Sequence, residues 1–437
     1  MGVAQGPGLA SPAQREALAY VCCTYRGTDI HAPDFLATVD LHPDSDTYGR
    51  VIHRTNMPYV GDELQYVGTA DPAVGGGRLV VTGLASSRIH VLQVAVDPRR
   101  PEIERVIEPA VLQRQSGYTG PHAVHGLQGG IVLVGMLGSR RGEAPGGFAV
   151  LDGQTWDVLG RWEEDKGNQQ LMGDSWCQPT AGVLFSSEWA TPSVFESGLR
   201  AGDVGAGRYG RRLHVWDIRD RRLLQSLDLG EDGCASLAVR ALHDPAAGSG
   251  YVAAALSGAL WYWHPGAAGG FVCERVATTA RRAPRGWPVP VPALTTDQVI
   301  SMDDRYLYVS DWLHGDIRQY DIADPARPRL HSRVSVGGLR RAVVHRGRQL
   351  TGGPQSLQLS LDGRRLYVTN SLWSAWDNQF YPGLESWMLK VEVDAEGDGQ
   401  MRLDADFLVD FTDGPHGPVR ARAMCLQGGD ATTVASG

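Results

Sequence analysis

Two stretches of the chain repeat one pattern, and this repeat limits the possible folds more than any other feature. SMDDRYLYVSDW begins at Ser301 and SLDGRRLYVTNS begins at Ser360, 59 residues later. Both read Ser-x-Asp-x-Arg-x-Leu-Tyr-Val, a polar turn followed by an apolar run of strand length. A repeat of roughly 50 to 60 residues with about four strands is typical of a β-propeller blade. At that period the 437 residues have room for seven blades.

Short apolar or alternating runs recur along the rest of the chain. Examples are FLATVDL from Phe35, RLVVTGL from Arg78, LHVWDI from Leu213 and YVAAALS from Tyr251. Each has the length of a strand and is bounded by turn residues. The 55 glycines and 25 prolines are spread out rather than concentrated in a linker. We therefore predict an all-β protein, a seven-bladed β-propeller that forms a single closed domain over residues 1–437.

Two segments depart from the repeating pattern. SPAQREALAYV has Ser11 as a candidate N-cap and Pro12 at the first helical position, so residues 1–19 are predicted to be an N-terminal extension with a helix. Residues 337–353, which include most of VHRGRQLTGGP, are predicted to be an inserted loop.

Charge and hydropathy restrict the partners. The formal net charge is -8, whereas non-specific nucleic-acid binding needs a basic surface. No apolar run approaches the length of about 18 residues that spans a membrane. The first twenty residues lack a basic region followed by an apolar one, so we expect a cytoplasmic protein. The predicted partner is a small-molecule substrate, with no nucleic acid and no membrane. The sequence specifies no oligomeric state.

GPHAVHGL, which begins at Gly120, places His122 and His125 three residues apart. On a regular strand these positions face opposite sides. The flanking Gly120-Pro121 and Gly126 instead predict a turn on which both rings converge. One isolated His-x-x-His is a weak metal signal, so the two histidines are candidates for acid–base catalysis or for metal ligation.

Acidic and aromatic residues near predicted turns form a second group of candidates. Glu188 precedes Trp189 in FSSEWATPS, and a desolvated carboxyl has a raised pKa; the alternative is an ion-paired residue at the rim. Trp176 and Trp376 are interpreted as pocket walls or as propeller core. His314, in SDWLHGD, is a candidate binding residue or a turn residue bonded to the backbone.

Several longer phrases carry a resemblance to a known family. They are APDFLATVDLHPDSDTYGRVIHR, GGFAVLDG, SSEWATPS, SMDDRYLYVSDWLHGDIRQYDIADPARPRL and TGGPQSLQLSLDGRRLYVTNSLWSAWDNQFYP. Together they resemble the selenium-binding protein family, which includes methanethiol oxidase, from about Tyr20 to Asp430. The resemblance implies a seven-bladed β-propeller. In the oxidase it also implies copper-dependent conversion of methanethiol to formaldehyde, sulfide and peroxide.

The resemblance also implies which residues would hold copper. In the family a His-His pair follows Asp-Glu-Leu, and in this chain Gln65 and Tyr66 stand at those positions. The family's His-x-x-His is kept as His122 and His125. A further histidine near the C-terminus corresponds to Arg422, and the family's Cys-x-x-Cys is absent. Imidazole binds copper well, whereas a guanidinium is always cationic and cannot ligate. A divergent member is therefore expected to have no cofactor, and any metal would be held by the two remaining histidines.

Our leading hypothesis is a metal-independent enzyme that acts on a small organic substrate in the axial pocket. A condensation, cyclisation or lyase step in specialised metabolism would suit such acid–base chemistry. His122 or His125 is the expected acid or base, with Glu63 and Tyr66 assisting proton transfer and Glu188 as a second acid.

The predicted substrate contacts include Arg422, whose charge would bind a carboxylate. The remaining contacts are Gln65, Trp176, Trp189, His314 and Trp376. The first alternative is a copper-dependent thiol oxidase of the methanethiol oxidase type. The second is a non-catalytic binding protein, because a propeller fold does not determine function.

Overall fold

A computed structural model of the chain describes residues 15–69, 77–127, 129–284, 287, 289–395 and 397–432. The first half of the described strands runs from the N-terminus to the fourth sheet. They are β1 (Leu18–Thr24), β2 (Pro33–Asp40), β3 (Val51–Val60), β4 (Leu64–Thr69), β5 (Arg78–Gly83), β6 (Ile89–Gln93), β7 (Glu102–Ile107), β8 (Tyr118–Leu127), β9 (Ile131–Ser139), β10 (Gly147–Asp152), β11 (Val158–Arg161), β12 (Ser175–Gln178), β13 (Val183–Ser187), β14 (Arg212–Asp217) and β15 (Arg222–Asp228).

The second half completes the ring. These strands are β16 (Ser236–Ala241), β17 (Gly250–Ala254), β18 (Ala259–Pro265), β19 (Phe271–Thr278), β20 (Thr295–Ile300), β21 (Tyr306–Asp311), β22 (Asp316–Asp321), β23 (Arg329–Ser335), β24 (Val343–His345), β25 (Arg348–Leu350), β26 (Leu357–Leu359), β27 (Arg365–Thr369), β28 (Trp387–Val393), β29 (Met401–Asp410) and β30 (Arg420–Leu426).

Short α-helices connect some of the strands. Within the described ranges they are α1 (Pro109–Ser116), α2 (Pro192–Phe195), α3 (Ala201–Gly205) and α4 (Ser374–Phe380). None of these helices has the length and apolar character needed to cross a membrane.

The described strands form seven antiparallel four-stranded sheets, which confirms the predicted seven-bladed β-propeller. Six sheets use four consecutive strands, beginning at β4, β8, β12, β16, β20 and β26. The seventh has the order β30-β1-β2-β3, so both ends of the chain share one blade. The first strands of neighbouring sheets contact one another around the ring. Seven strands, β4, β8, β12, β16, β20, β26 and β30, therefore surround the axis.

Burial follows the position of each strand within its blade. The middle strand β21 is buried at all six positions, because neighbouring blades cover both faces of its sheet. The outermost strand β7, with the sequence EIERVI, is exposed at three of six positions. This is why the middle strands read as continuous apolar runs in the sequence.

The two copies of the 59-residue repeat form the same type of turn. The Ser301 hydroxyl donates to Asp303 at 2.5 Å and accepts the Tyr306 amide at 2.9 Å. Ser360 makes the same two bonds to Asp362 and Arg365, at 2.6 and 3.0 Å. The Ser-x-Asp pattern therefore closes the turn between the first and second strands of two adjacent blades.

The two predicted departures from the pattern have different outcomes. Residues 1–14 of the predicted N-terminal extension lie outside the described residues. Residues 15–17 are not helical, and Leu18 already belongs to β1, which pairs with β30. The helix prediction is wrong for the end of 1–19, because that segment completes the seventh blade. Residues 337–353 lie between two blades and contain the hairpin of β24 and β25, so they are only partly a loop.

Candidate functional site

A cavity of about 60 Å³ opens on the propeller axis. We call it the axial pocket. Its walls come from the first strands of the blades, so residues distant in sequence meet there. Its main polar residues are Gln65, Tyr66, His122, Asp174, Arg240 and Asp297. The structure thus brings together the first three of these, which were predicted from the sequence.

A β-bulge explains the unusual histidine spacing. His122 and His125 both lie within strand β8, so the predicted turn is wrong. Between Pro121 and Val124, two residues of β8 lie opposite a single residue of β9. A bulge of this kind shifts the alternation of side chains by one position. The regular alternation is thus broken at His122, whose ring lies near Tyr66 of β4, whereas His125 contacts Ser175 of β12.

His122 is a neutral imidazole with no hydrogen bond from the part of the chain that the structure describes. Its Nδ1 is buried without a hydrogen-bond partner, and no described residue forms a hydrogen bond with its Nε2. The Tyr66 ring lies 6.0 Å away, measured between ring centroids. Burial lowers the pKa of His122, with Asp174 opposing and Arg240 reinforcing the shift. A neutral imidazole with a free lone pair can accept a proton.

The two other titratable groups near His122 are less suited to act as a base. His125 Nε2 is 3.0 Å from the Ser175 hydroxyl, and burial lowers the pKa of His125 to about 4. Burial raises the pKa of Tyr66 above its usual value. The Tyr66 hydroxyl therefore stays protonated near neutral pH and serves as a hydrogen-bond donor.

The other wall of the axial pocket carries a buried ion network. Arg240 Nη1 is 2.5 Å from Asp174 Oδ2, and Arg240 Nη2 is 3.1 Å from Asp297 Oδ1. Asp297 also accepts the backbone N–H groups of Leu357 and Gln298, each at 2.9 Å. Burial still raises the pKa of Asp297 to about 6. One guanidinium thus faces two carboxylates, and one of these titrates near physiological pH.

Sequence reasoning missed this ion network. Asp174, Arg240 and Asp297 are isolated charges with no motif around them. The available signal was their spacing: Arg240 follows Asp174 by 66 residues and precedes Asp297 by 57. Charges that recur at the blade period beside apolar strands indicate positions on the axis.

Arg422 is completely buried and its charge is already matched. Its Nη2 is 2.8 Å from Glu63 Oε1 and 2.7 Å from the Ser374 hydroxyl, while Nη1 donates to Gln65 Oε1. Arg26 Nε approaches Glu63 Oε2 at 2.9 Å. Gln65 and Arg422 therefore meet, as the resemblance implies. The pairing with Glu63 holds the Arg422 guanidinium within the protein, although Arg26 shares the same carboxylate. Binding of a substrate carboxylate by Arg422 stays a prediction.

The same contacts change the interpretation of Glu63. Its burial would raise the pKa of this carboxyl, but the Arg422 and Arg26 charges and the Ser374 hydrogen bond lower it. Glu63 is therefore an ionised partner of two guanidinium groups. These contacts favour a structural role for Glu63, and its part in proton transfer stays a prediction.

A larger cavity of about 310 Å³ lies next to the axial pocket. Glu63, Glu196, Phe195 and Trp373 are among its walls, and Trp373 also lines the axial pocket. The indole of Trp373 is thus shared by both cavities.

Two residues predicted to face the substrate have other partners. Glu188 Oε1 is 3.0 Å from His214 Nε2, and Glu188 Oε2 accepts the Arg211 amide at 3.2 Å. His314 Nε2 is 3.3 Å from the Val291 carbonyl. Neither residue lines the two cavities, and these contacts favour the alternatives of an ion-paired Glu188 and a backbone-bonded His314.

The predicted tryptophans belong to the core. Trp189 and Trp376 pack with ring centroids 5.6 Å apart and are at most 1% exposed. Trp176 lies beneath the Arg240 guanidinium, with 5.2 Å between that group and the ring centroid. These contacts favour the core interpretation of Trp189 and Trp376, whereas Trp176 supports the ion network.

The described donor set does not fit copper. No group of three His, Cys, Asp or Glu side chains is placed to hold a metal ion in the described parts of the chain. At the positions where the resemblance implies histidines, Gln65 and Arg422 bond each other. Tyr66 remains a protonated phenol. Two imidazoles next to buried guanidinium groups are a poor ligand set for a soft or borderline cation.

Comparisons with known proteins place these features in context. A family model described as 56kDa selenium binding protein matches residues 3–435. A methanethiol oxidase from Xenopus laevis is 42% identical, with 98% of both chains covered. Selenium-binding protein 2 from Mus musculus is 41% identical over the same shares. The crystal structure of a hypothetical selenium-binding protein from Sulfolobus tokodaii superposes with a TM-score of 0.92 at 40% identity, covering 98% of this chain and 97% of that one.

Proposed function

The chain belongs to the family of 56 kDa selenium-binding proteins, and we propose that it is an enzyme that moves a proton to or from a small uncharged substrate in the axial pocket. The observation that carries this proposal is the neutral His122 imidazole, which has no hydrogen-bond partner among the described residues. A general base needs a free lone pair and works best with a pKa near the working pH.

The size of the axial pocket supports a small substrate. Its volume is about 60 Å³, compared with about 30 Å³ for one water molecule in the liquid. A molecule of a few non-hydrogen atoms fits this space. Larger parts of a substrate would lie in the neighbouring cavity beyond Trp373.

The charges around the pocket support a substrate without a negative charge. Arg240 is held between Asp174 and Asp297, and Arg422 is held by Glu63. Both guanidinium groups already have carboxylate partners, and the network around Arg240 carries a surplus of negative charge when Asp297 is ionised. We therefore revise the expected carboxylate-bearing substrate to an uncharged molecule with an acidic proton.

The proposed step has simple roles for four side chains. A ring nitrogen of His122 accepts the substrate proton, and the resulting imidazolium is stabilised by Asp174, whose charge favours protonation. The Tyr66 hydroxyl donates a hydrogen bond to the charge that develops on the substrate. Asp297, with a pKa of about 6, is proposed to return a proton to the product, and it regains that proton from the His122 imidazolium through solvent.

Solvent-exchange NMR tests this proposal without a known substrate. A panel of small carbonyl compounds, alcohols and thiols would be incubated with the protein in D₂O, and exchange of carbon-bound hydrogen for deuterium would be followed. We expect exchange in at least one compound, its loss in His122→Gln and its retention in His125→Gln. Exchange that is equal in His122→Gln and the wild type would contradict the role of His122.

Oxidation of methanethiol is the second candidate, because that activity names several relatives at 40–42% identity. A small neutral thiol suits the size and charge of the axial pocket. The donor set gives no support to a copper-dependent step. Formaldehyde production from methanethiol, compared between copper-supplied and copper-free protein, separates the candidates: copper-dependent product favours the oxidase, and its absence favours proton transfer alone.

A further inference from the structure

A cluster of four arginines lies near the turn between β21 and β22. Its members are Arg282, Arg318, Arg333 and Arg340. None of them lines the axial pocket or the larger cavity. We propose that this arginine cluster binds a hydrogen phosphate ion, a function that is independent of the proposed chemistry on the axis.

Carboxylates match only part of the positive charge. Arg318 Nε is 2.6 Å from the buried Asp311. Arg340 Nη1 and Arg333 Nη1 share one oxygen of Asp316, Oδ2, at 3.3 and 3.6 Å. Four guanidinium groups thus face two carboxylates, in a chain whose net charge is -8. A local excess of cations on an acidic protein attracts anions.

Arg282 is the cation of this cluster with no carboxylate partner in the described part of the chain. Its backbone pairs with Val291 in an isolated β-bridge, and the Val291 carbonyl contacts His314 Nε2. The backbone of Arg282 therefore lies next to the turn that leads into Asp316. Burial and the Arg282 charge both lower the pKa of Arg340, which shows that the cations crowd one another.

His314 supplies a second, independent observation. Its side chain is 2% exposed, and its Nδ1 has no hydrogen-bond partner among the described residues. Because Nε2 contacts a carbonyl oxygen, Nε2 carries the hydrogen and Nδ1 carries the lone pair. The charges of Arg340 and Arg318 act on this ring. His314 thus offers an acceptor beside groups that can only donate.

These groups together define the chemistry of the ligand. Guanidinium groups bind oxyanions through paired N–H donors, and the Nδ1 lone pair needs an O–H donor. Hydrogen phosphate has both anionic oxygens and an O–H group, whereas sulfate has no O–H near neutral pH. The structure therefore favours phosphate over sulfate.

Calorimetric titration of the full-length protein tests the proposal. The probes are inorganic phosphate, sulfate and phenyl phosphate at pH 7, with the ionic strength held constant by chloride because salt screens charged ligands. We expect phosphate to bind with a Kd of about 1 mM or tighter and sulfate to bind about tenfold more weakly. Tighter binding of phenyl phosphate would support the same site with a phosphate ester as its source.

Matched arginine variants locate the site. Arg282→Gln removes the cation without a carboxylate partner, so we expect the fold to persist and phosphate binding to weaken about tenfold. Arg402→Gln, on the outer strand β29 with a side chain 82% exposed, should bind as the wild type does. No phosphate binding at tens of millimolar, equal binding of sulfate, or unchanged binding by Arg282→Gln would overturn the proposal.

Discussion

The two halves of the axial pocket are built in contrasting ways. On β4 and β8, Tyr66 and His122 are neutral and lack hydrogen bonds from the described residues. On β16 and β20, Arg240 and Asp297 are charged and linked, with Asp174 as the third member. In the charged half, contacts among the ionised groups offset part of the free-energy cost of burial, whereas the side chains of the neutral half have no such contacts among the described residues. A buried polar group left without a partner is a candidate for chemistry rather than for stability.

The largest effect is expected from His122→Gln, which tests whether the neutral half carries the chemistry. Removing a general base lowers turnover by about 100- to 10,000-fold. His125→Gln is the matched control, because that imidazole lies on the same strand but is bonded to Ser175. Exchange rates in D₂O measure both variants. Equal losses in the two would remove the distinction between these histidines.

The next effect is on stability and concerns the charged half. Arg240→Gln leaves Asp174 and Asp297 facing each other without a cation, and breaking a buried ion pair costs about 3–5 kcal/mol. Urea unfolding midpoints would show this loss. Arg402→Gln, at an exposed site, should stay within about 0.5 kcal/mol of the wild type. A small effect of Arg240→Gln would mean that the network is dispensable for the fold.

The two halves should also respond to pH with opposite signs. The pKa of His125 falls from 6.5 to about 4 in the fold, so stability is lost as pH falls from 6.5 towards 4. This loss is up to about 3 kcal/mol, and less where solvent reaches the ring. The pKa of Asp297 rises from 3.8 to about 6. Its stabilisation is complete below 3.8 and is lost as pH rises through 6.

Single variants separate these two pH dependences. Urea midpoints between pH 4 and 7 would be compared for the wild type, His125→Gln and Asp297→Asn. We expect His125→Gln to lose less stability on acidification, and Asp297→Asn to lose less on going from pH 4 to 7. Parallel pH curves for all three proteins would contradict the contrast between the halves.

The smallest effect is expected from Tyr66→Phe. This change removes only a hydroxyl that donates a hydrogen bond to the substrate, a contribution of about 1 kcal/mol or roughly fivefold in kcat/KM. The ring contact with His122 is retained. A loss as large as that of His122→Gln would instead assign the proton transfer to Tyr66.

The fold could be predicted because its signals are local. The Ser-x-Asp turn recurs in two adjacent blades and apolar strands recur along the chain, so the number of blades follows from their period. The closure of the seventh blade could not be read in the same way. It depends on pairing of Leu18–Thr24 with Arg420–Leu426 across the whole chain, and a helical start at Ser11 appeared more favourable from local sequence.

The site was less predictable, because it depends on which side chains find partners. Gln65, Tyr66, His122 and Arg422 were placed near one another by resemblance, and the structure brings them to the axis. Their roles stay predictions, and the pairing of Glu63 with Arg422 is a contact that the resemblance did not imply. No sequence pattern predicts the bulge in β8, or the hydrogen bond between Arg422 and the buried Glu63, which lies 359 residues earlier in the chain.

Copper content is the most direct test of the central claim that the axial pocket works through His122 and does not depend on a metal. The protein would be expressed with copper supplied, desalted exhaustively and measured by plasma mass spectrometry, with His122→Gln alongside. We expect far less than one copper per chain in both proteins. Near-stoichiometric copper in the wild type that disappears in His122→Gln would contradict the claim and make thiol oxidation the function to pursue.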